Sequence, residues 1–177
     1  MRILLLGGSK SGKSMLAQRW TKKLAGEQGT AVYWATMSPQ DEEDLARIRR
    51  HREERAGWGF QTIECGGAIP EKAGALSADS AVLFDSATAL LANRMFGEGF
   101  QPDAAEQVWT ELAELSSVPA HFVLVCDEIF RDGFVFDEWT ETYRRGLAQI
   151  CRQAAQEFDV VCEVVCGVPV FRKGAMS

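Results

Sequence analysis

The sequence predicts an α/β fold, a mostly parallel sheet with helices packed on its faces, from two observations. Short apolar runs alternate with longer amphipathic stretches along the chain, and the first of these runs opens directly into a glycine-rich turn followed by apolar residues at helical spacing. The expected strands cover 2–6, 31–36, 81–84, 121–126 and 160–168, with a weaker one at 60–64. Between them the pattern predicts helices over 13–25, 39–55, 88–96, 104–116 and 137–157. In such sheets ligands collect at the carboxyl ends of the strands, so the residues just after each strand carry the functional reading.

At 177 residues and 46% hydrophobic content the chain suits one core, and 1–177 reads as a single domain. A net charge of -6 and a pI near 5.0 argue against a protein whose main affinity comes from neutralising nucleic-acid phosphates. The run from Ile3 to Leu6 is short and ends in glycine, unlike a secretory leader, and no segment reaches the roughly 20 apolar residues a membrane span requires. A soluble, cytoplasmic protein is expected. The five cysteines are an odd count without CxxC spacing, which predicts buried, reduced thiols rather than disulfides or a zinc site.

Gly7-Gly8-Ser9-Lys10-Ser11-Gly12-Lys13-Ser14 fits the pattern GxxxxGK[ST] between a predicted strand and a predicted helix with Met15, Leu16, Trp20 and Leu24 at helical spacing. The glycines let backbone N–H groups turn inward around an anion, and the helix starts with its positive dipole end facing that anion. Lys13 would reach the terminal phosphates and the Ser14 hydroxyl would ligate Mg2+. A bare strand-to-helix turn requires neither residue. The expected fold is therefore a P-loop NTPase-like three-layer domain. Such a loop needs an acidic partner for the metal at the end of another strand. Asp85 follows the run at 81–84, and Asp127 and Glu128 follow that at 121–126. Asp85 is favoured as the metal-side carboxylate and Glu128 as a second acid in the cleft, although a strand-end acid can equally cap the next helix.

Ser38-Pro39 and the acidic run Asp41 to Asp44 read as a helix start. Farther along, Arg47, His51 and Arg55 are four apart and share a face, flanked by Arg50 and Arg52, while Leu45, Ile48 and the Arg52 stem fall on another side. Spacing alone leaves His51 open between a solvated histidine and a nucleophile among phosphate-binding arginines, where neighbouring positive charge keeps imidazole neutral. His121 has no such surroundings.

Several segments together resemble the adenosylcobinamide kinase / adenosylcobinamide-phosphate guanylyltransferase family of cobalamin biosynthesis. They are Gly7 to Ser14; Tyr33-Trp34-Ala35-Thr36; Ala46-Arg47-Ile48-Arg49-Arg50-His51; Trp58 to Cys65 with Thr62 and Glu64; Asp85-Ser86-Ala87-Thr88 followed by Asn93; and Val165-Cys166-Gly167-Val168-Pro169. The resemblance implies two activities on one nucleotide site, phosphorylation of a corrinoid's aminopropanol hydroxyl and transfer of GMP from GTP onto that phosphate through a guanylylated histidine. It implies Lys13 and Ser14 at the triphosphate and Mg2+, Ala35, Thr36 and Met37 lining the nucleotide, and Asp85 aiding the metal. It makes His51 the GMP carrier and Lys13 its catalytic partner, with Arg52, Glu53, Glu54 and Arg55 at the nucleotide and Glu64 at guanine or ribose. GTP, with ATP as another phosphate donor, a corrinoid acceptor and a homo-oligomer are implied too. Some members have two adjacent histidines where this chain has Arg50-His51.

The match thins after the fourth main strand, where the family shows Asn-Glu-Val-Gly and this chain reads Asp127-Glu128-Ile129-Phe130. The next helix has Glu141, Arg145, Ala148 and Cys151 at positions of other residue types, while Glu128, Tyr143 and Arg144 fit. Phenylalanine in place of a backbone-approach glycine would crowd whatever binds there. A relative that uses another acceptor, or a nucleotide-gated binding protein without turnover, are the alternatives this departure suggests.

Overall fold

The computed structural model describes residues 1–38, 42–66, 69, 73–74, 76–131 and 133–176, and the side chains of Glu43, Asp44, Arg47, His51 and Glu54 also lie outside that description. The elements along the chain are β1 (Arg2–Gly7), α1 (Lys13–Ala25), β2 (Ala31–Ala35), α2 (Glu42–Arg55), β3 (Phe60–Glu64), β4 (Ala81–Asp85), α3 (Ala87–Phe96), α4 (Ala104–Ser116), β5 (His121–Asp127), α5 (Glu138–Glu157), β6 (Val160–Val165) and β7 (Val168–Lys173). The predicted first helical turn at 39–41 lies outside the described residues.

The strands form one seven-stranded sheet in the order β3-β2-β4-β5-β1-β6-β7, with β7 antiparallel to β6 and the other pairs parallel. Alternation along each strand divides the core in two. Leu4, Val82, Phe84, Phe122 and Leu124 face α3, α4 and α5, whereas Ile3, Leu5, Leu83, Val123 and Val125 face Ala17, Leu16 and Trp20 of α1. Runs of buried residues such as Ile3 to Leu5 and Phe122 to Cys126 read as continuous apolar stretches because both of their faces are covered. This is the expected three-layer arrangement.

The run at 160–168 proves to be two strands. Cys166 and Gly167 take positive φ values of 50° and 80° and reverse the chain, so that Val165 pairs with Val168. Cys166 is exposed in this turn, against the expectation of burial, while Cys65, Cys126, Cys151 and Cys162 are buried. Cys126 and Cys151 lie with their sulfurs 3.4 Å apart, and that hydrogen bond, together with burial, pushes the Cys126 thiol well above its ordinary pKa. Among the described residues no helix is long and apolar enough to cross a membrane.

Candidate active site

The glycine-rich loop joins β1 to α1 at the carboxyl edge of the sheet. Gly12 caps α1 with φ 89°, and among the described residues no side chain caps this helix, which leaves its first N–H groups to the loop. Gly7 has no room for a side chain, because a Cβ there would stand 2.6 Å from Ser11 Oγ and 2.9 Å from the Val164 carbonyl oxygen. The β6–β7 turn braces the loop, with the Gly167 amide donating to the Ser11 carbonyl at 2.8 Å. Ser9 and Lys10 are exposed on its outer side, and Gly8 and Ser11 are half-buried.

Lys13 folds back over this loop. Its Nζ donates to the Gly8 carbonyl at 3.1 Å and lies 2.6 Å from Asp127 Oδ1. Sheet order decides which strand-end carboxylate meets Lys13, a question separate from the metal-side role expected of Asp85. β5 lies between β1 and β4, so Asp127 stands next to the loop while Asp85 stands two strands away, about 10 Å at ordinary strand spacing. Asp85 Oδ2 instead accepts from the Tyr33 hydroxyl at 2.7 Å. Glu128, expected in the cleft, turns its carboxylate back to its own loop, where it accepts from the Phe130 amide at 3.0 Å and faces Arg131.

A cavity of about 440 Å³ runs from the loop to α2. Lys13, Ser14, Ala35, Met37, Arg52, Arg55, Glu64 and Asp85 of the expected set line it, joined by Asp127 and Tyr33. Thr36 does not open into it. That residue is fully buried, its hydroxyl donating to the Ser86 carbonyl and accepting from the Ser86 amide, both at 2.8 Å, so it ties β2 to the start of α3. Asn93 of α3 completes this wall, donating to the carbonyls of Thr36 and Gly66 at 2.8 and 2.7 Å. Glu53 is exposed and away from the lining, and the side chains of His51 and Glu54 lie outside the described residues.

α2 roofs the cavity with the stripe Leu45, Ile48, Arg52 and Arg55, a spacing of three and four that keeps one face inward. Helical spacing groups Arg55 with Arg47 and His51 rather than with Leu45, yet Arg55 shares the cavity face with Leu45: it is only 8% exposed, and its guanidinium lies 3.5 Å from the centre of the Tyr33 ring. That stacking gives the cation an electrostatic partner where water is scarce, yet Arg55 Nη1 has no hydrogen-bond partner among the described residues. Arg52 pairs with Glu64 at the end of β3. None of α2's described residues belongs to either buried core cluster, and Leu45 is 43% exposed. Among the described residues, Arg52 and Arg55 tie the C-terminal end of the helix to β3 and β2.

The sequence profile of the family described as cobinamide kinase / cobinamide phosphate guanyltransferase matches residues 3–171. The chain belongs to this family. Among curated relatives, it is 30% identical to a bifunctional adenosylcobalamin biosynthesis protein, CobU, of Salmonella typhimurium, the match covering 96% of this chain and 98% of that protein. It is 32% identical to a bifunctional adenosylcobalamin biosynthesis protein, CobP, of Pseudomonas aeruginosa, with 98% of each covered. Among solved structures, the flagellar accessory protein FlaH of Methanocaldococcus jannaschii superposes with a TM-score of 0.55 at 13% identity, covering 99% of this chain and 79% of that one. A second solved structure, an ATPase domain, gives 0.53 at 11% identity, covering 92% of this chain and 68% of that one. At such identities the likeness of these two is one of fold alone. For this cobinamide kinase / guanyltransferase family member, the loop, the two strand-end acids and the α2 stripe form one continuous site.

Proposed function

We propose that the chain phosphorylates the hydroxyl of an adenosylcobinamide and then transfers GMP from GTP onto that phosphate, with His51 as the GMP carrier. The observation that carries this reading is the single cavity joining Lys13 and Ser14 to the α2 residues Arg52 and Arg55 and to Glu64. In the first step the acceptor oxygen attacks the γ-phosphorus of GTP or ATP, the nucleoside diphosphate leaves and the hydroxyl proton is given up. Lys13, at the start of α1, is placed to offset the charge that collects on the transferring and leaving oxygens. In the second, a ring nitrogen of His51 attacks the α-phosphorus of GTP and pyrophosphate leaves. The corrinoid phosphate then displaces the histidine, forming a diphosphate linkage and freeing the ring.

Ser14, Asp85 and Asp127 present hard oxygen donors to one cavity, which fits Mg2+, an ion that would spread the triphosphate's charge when bound. Arg55 offers to the nucleotide its Nη1, which has no hydrogen-bond partner among the described residues, and Glu64 offers a carboxylate to guanine or ribose hydrogens. A cytoplasmic homo-oligomer is part of the same proposal.

Incubation of the chain with GTP and cobinamide, followed over time by thin-layer chromatography, tests the reading. Phosphorylated and then guanylylated product supports it. Labelled enzyme without product points to another acceptor, and nucleotide binding with neither overturns an enzymatic role. Arg55→Lys keeps the charge but loses the planar stack on Tyr33, so GTP affinity should fall about tenfold by titration calorimetry. An unchanged affinity would remove Arg55 from the nucleotide's contacts.

A further inference from the structure

Lys13 and Asp127 meet where β1 and β5 end side by side. The register sets Gly7 opposite Asp127, the Glu128 amide donates to the Gly7 carbonyl at 2.9 Å, and the Asp127 amide donates to Thr88 Oγ1 at 2.9 Å. The backbone that carries the carboxylate is therefore fixed from both sides. The side chains of Lys13 and Asp127 are 8% and 21% exposed, and their charged atoms are 2.6 Å apart. A nucleotide's terminal phosphates need this same ammonium. Asp127 competes with them for it, and once they are seated its charge stands beside theirs. At separations of a few ångströms and partial screening, such like charges weaken binding by about tenfold or more.

A divalent cation relieves both penalties, because it offers the carboxylate an oxygen-binding partner in place of Lys13 and cancels part of the phosphate charge. Asp85 lines the same cavity but does not touch Lys13; it is engaged by the Tyr33 hydroxyl. We propose that Asp127 is a specificity-determining residue that makes the site select the metal complex of the nucleotide over the free nucleotide, by holding Lys13 until a cation takes up the carboxylate. This rests on the reading of Lys13 as the phosphate-binding lysine.

Titration calorimetry of the full chain with GTP, once in Mg2+ and once in EDTA, tests it. Asp127→Asn should tighten binding of metal-free GTP about tenfold, so that the ratio of the Mg2+–GTP affinity to the metal-free affinity falls by about tenfold or more. Asp85→Asn removes one charge from the same cavity without releasing Lys13, and should leave the metal-free affinity within about twofold. An unchanged preference in Asp127→Asn, or equal relief in Asp85→Asn, overturns the proposal. Retained Mg2+–GTP binding shows that the variant is folded, and should the amide variant lose it, Asp127→Ser carries the same comparison. If the unaltered chain fails to bind Mg2+–GTP, the nucleotide reading of the loop falls and this selection with it. If it binds and only the preference fails to move, the selection alone is wrong.

Discussion

Lys13→Ala is expected to abolish nucleotide turnover, lowering kcat for phosphate transfer by about a thousandfold or more, which is ~4 kcal/mol of transition-state stabilisation. In phosphoryl transfer the protein contributes chiefly position and charge, and Lys13 is the cation that the first turn of α1 brings to the glycine loop. The same substitution has a second, smaller consequence. It strips the partner from Asp127, whose carboxylate is only 21% exposed, and leaving a partly buried charge unpaired costs about 1–3 kcal/mol. For a domain of this size that lowers Tm by several degrees. Lys13→Arg separates the two effects. Arginine keeps a cation beside Asp127 and so most of the Tm, but its broad planar head does not reproduce the ammonium's reach, and turnover should still fall steeply. Kinetics and melting curves on both variants check this. A Lys13→Ala protein that turns over GTP at the original rate would end the assignment of the loop.

How much of this was legible follows from what each feature depends on. Helices at 13–25 and 104–116 were readable to the residue because one begins at a glycine-bounded turn and the other carries a regular apolar stripe, Ala105, Val108, Trp109, Leu112 and Leu115, all buried. β7 was not, because the apolar residues before Cys166 and after Gly167 merge on paper into one run, and the turn that divides them depends on the backbone at those two residues. The identity of the acid beside Lys13 was hidden for a different reason. Asp85 and Asp127 both end buried strands, and only the order β4-β5-β1, set by pairing between segments far apart in sequence, places Asp127 next to the loop. The stacking of Arg55 on Tyr33 was equally hidden, since it is a contact between different elements, although the family resemblance already implied Arg55 at the nucleotide. That the loop, Ser14 and Asp85 border one cavity was legible because they lie where strands end in an α/β sheet, whereas Glu64 was suggested only by the family resemblance.

His51→Ala is expected to remove the guanylyl-enzyme while sparing phosphorylation of the acceptor. With GTP labelled at the α-phosphate, covalent label on the chain should fall by at least about a thousandfold, because the displaced pyrophosphate requires a nucleophile that alanine does not supply. Formation of cobinamide phosphate should stay within about threefold, since the proposed function assigns that step to Lys13 and the first turn of α1. The fold should not suffer, because the residue sits inside α2 and alanine has the highest helix propensity. The position of α2 makes the separation of the two steps physically reasonable. Arg52 ties the helix to Glu64 and Arg55 ties it to Tyr33, so its C-terminal turn borders the cavity, yet its described residues lie outside both core clusters. A helix whose described residues stay out of both cores can approach the loop for guanylyl transfer and withdraw for phosphorylation without unpacking the sheet. Label that persists on His51→Ala would assign the nucleophile elsewhere. Loss of both activities together would mean that α2 serves the triphosphate directly, and the two steps would then share one arrangement of the site.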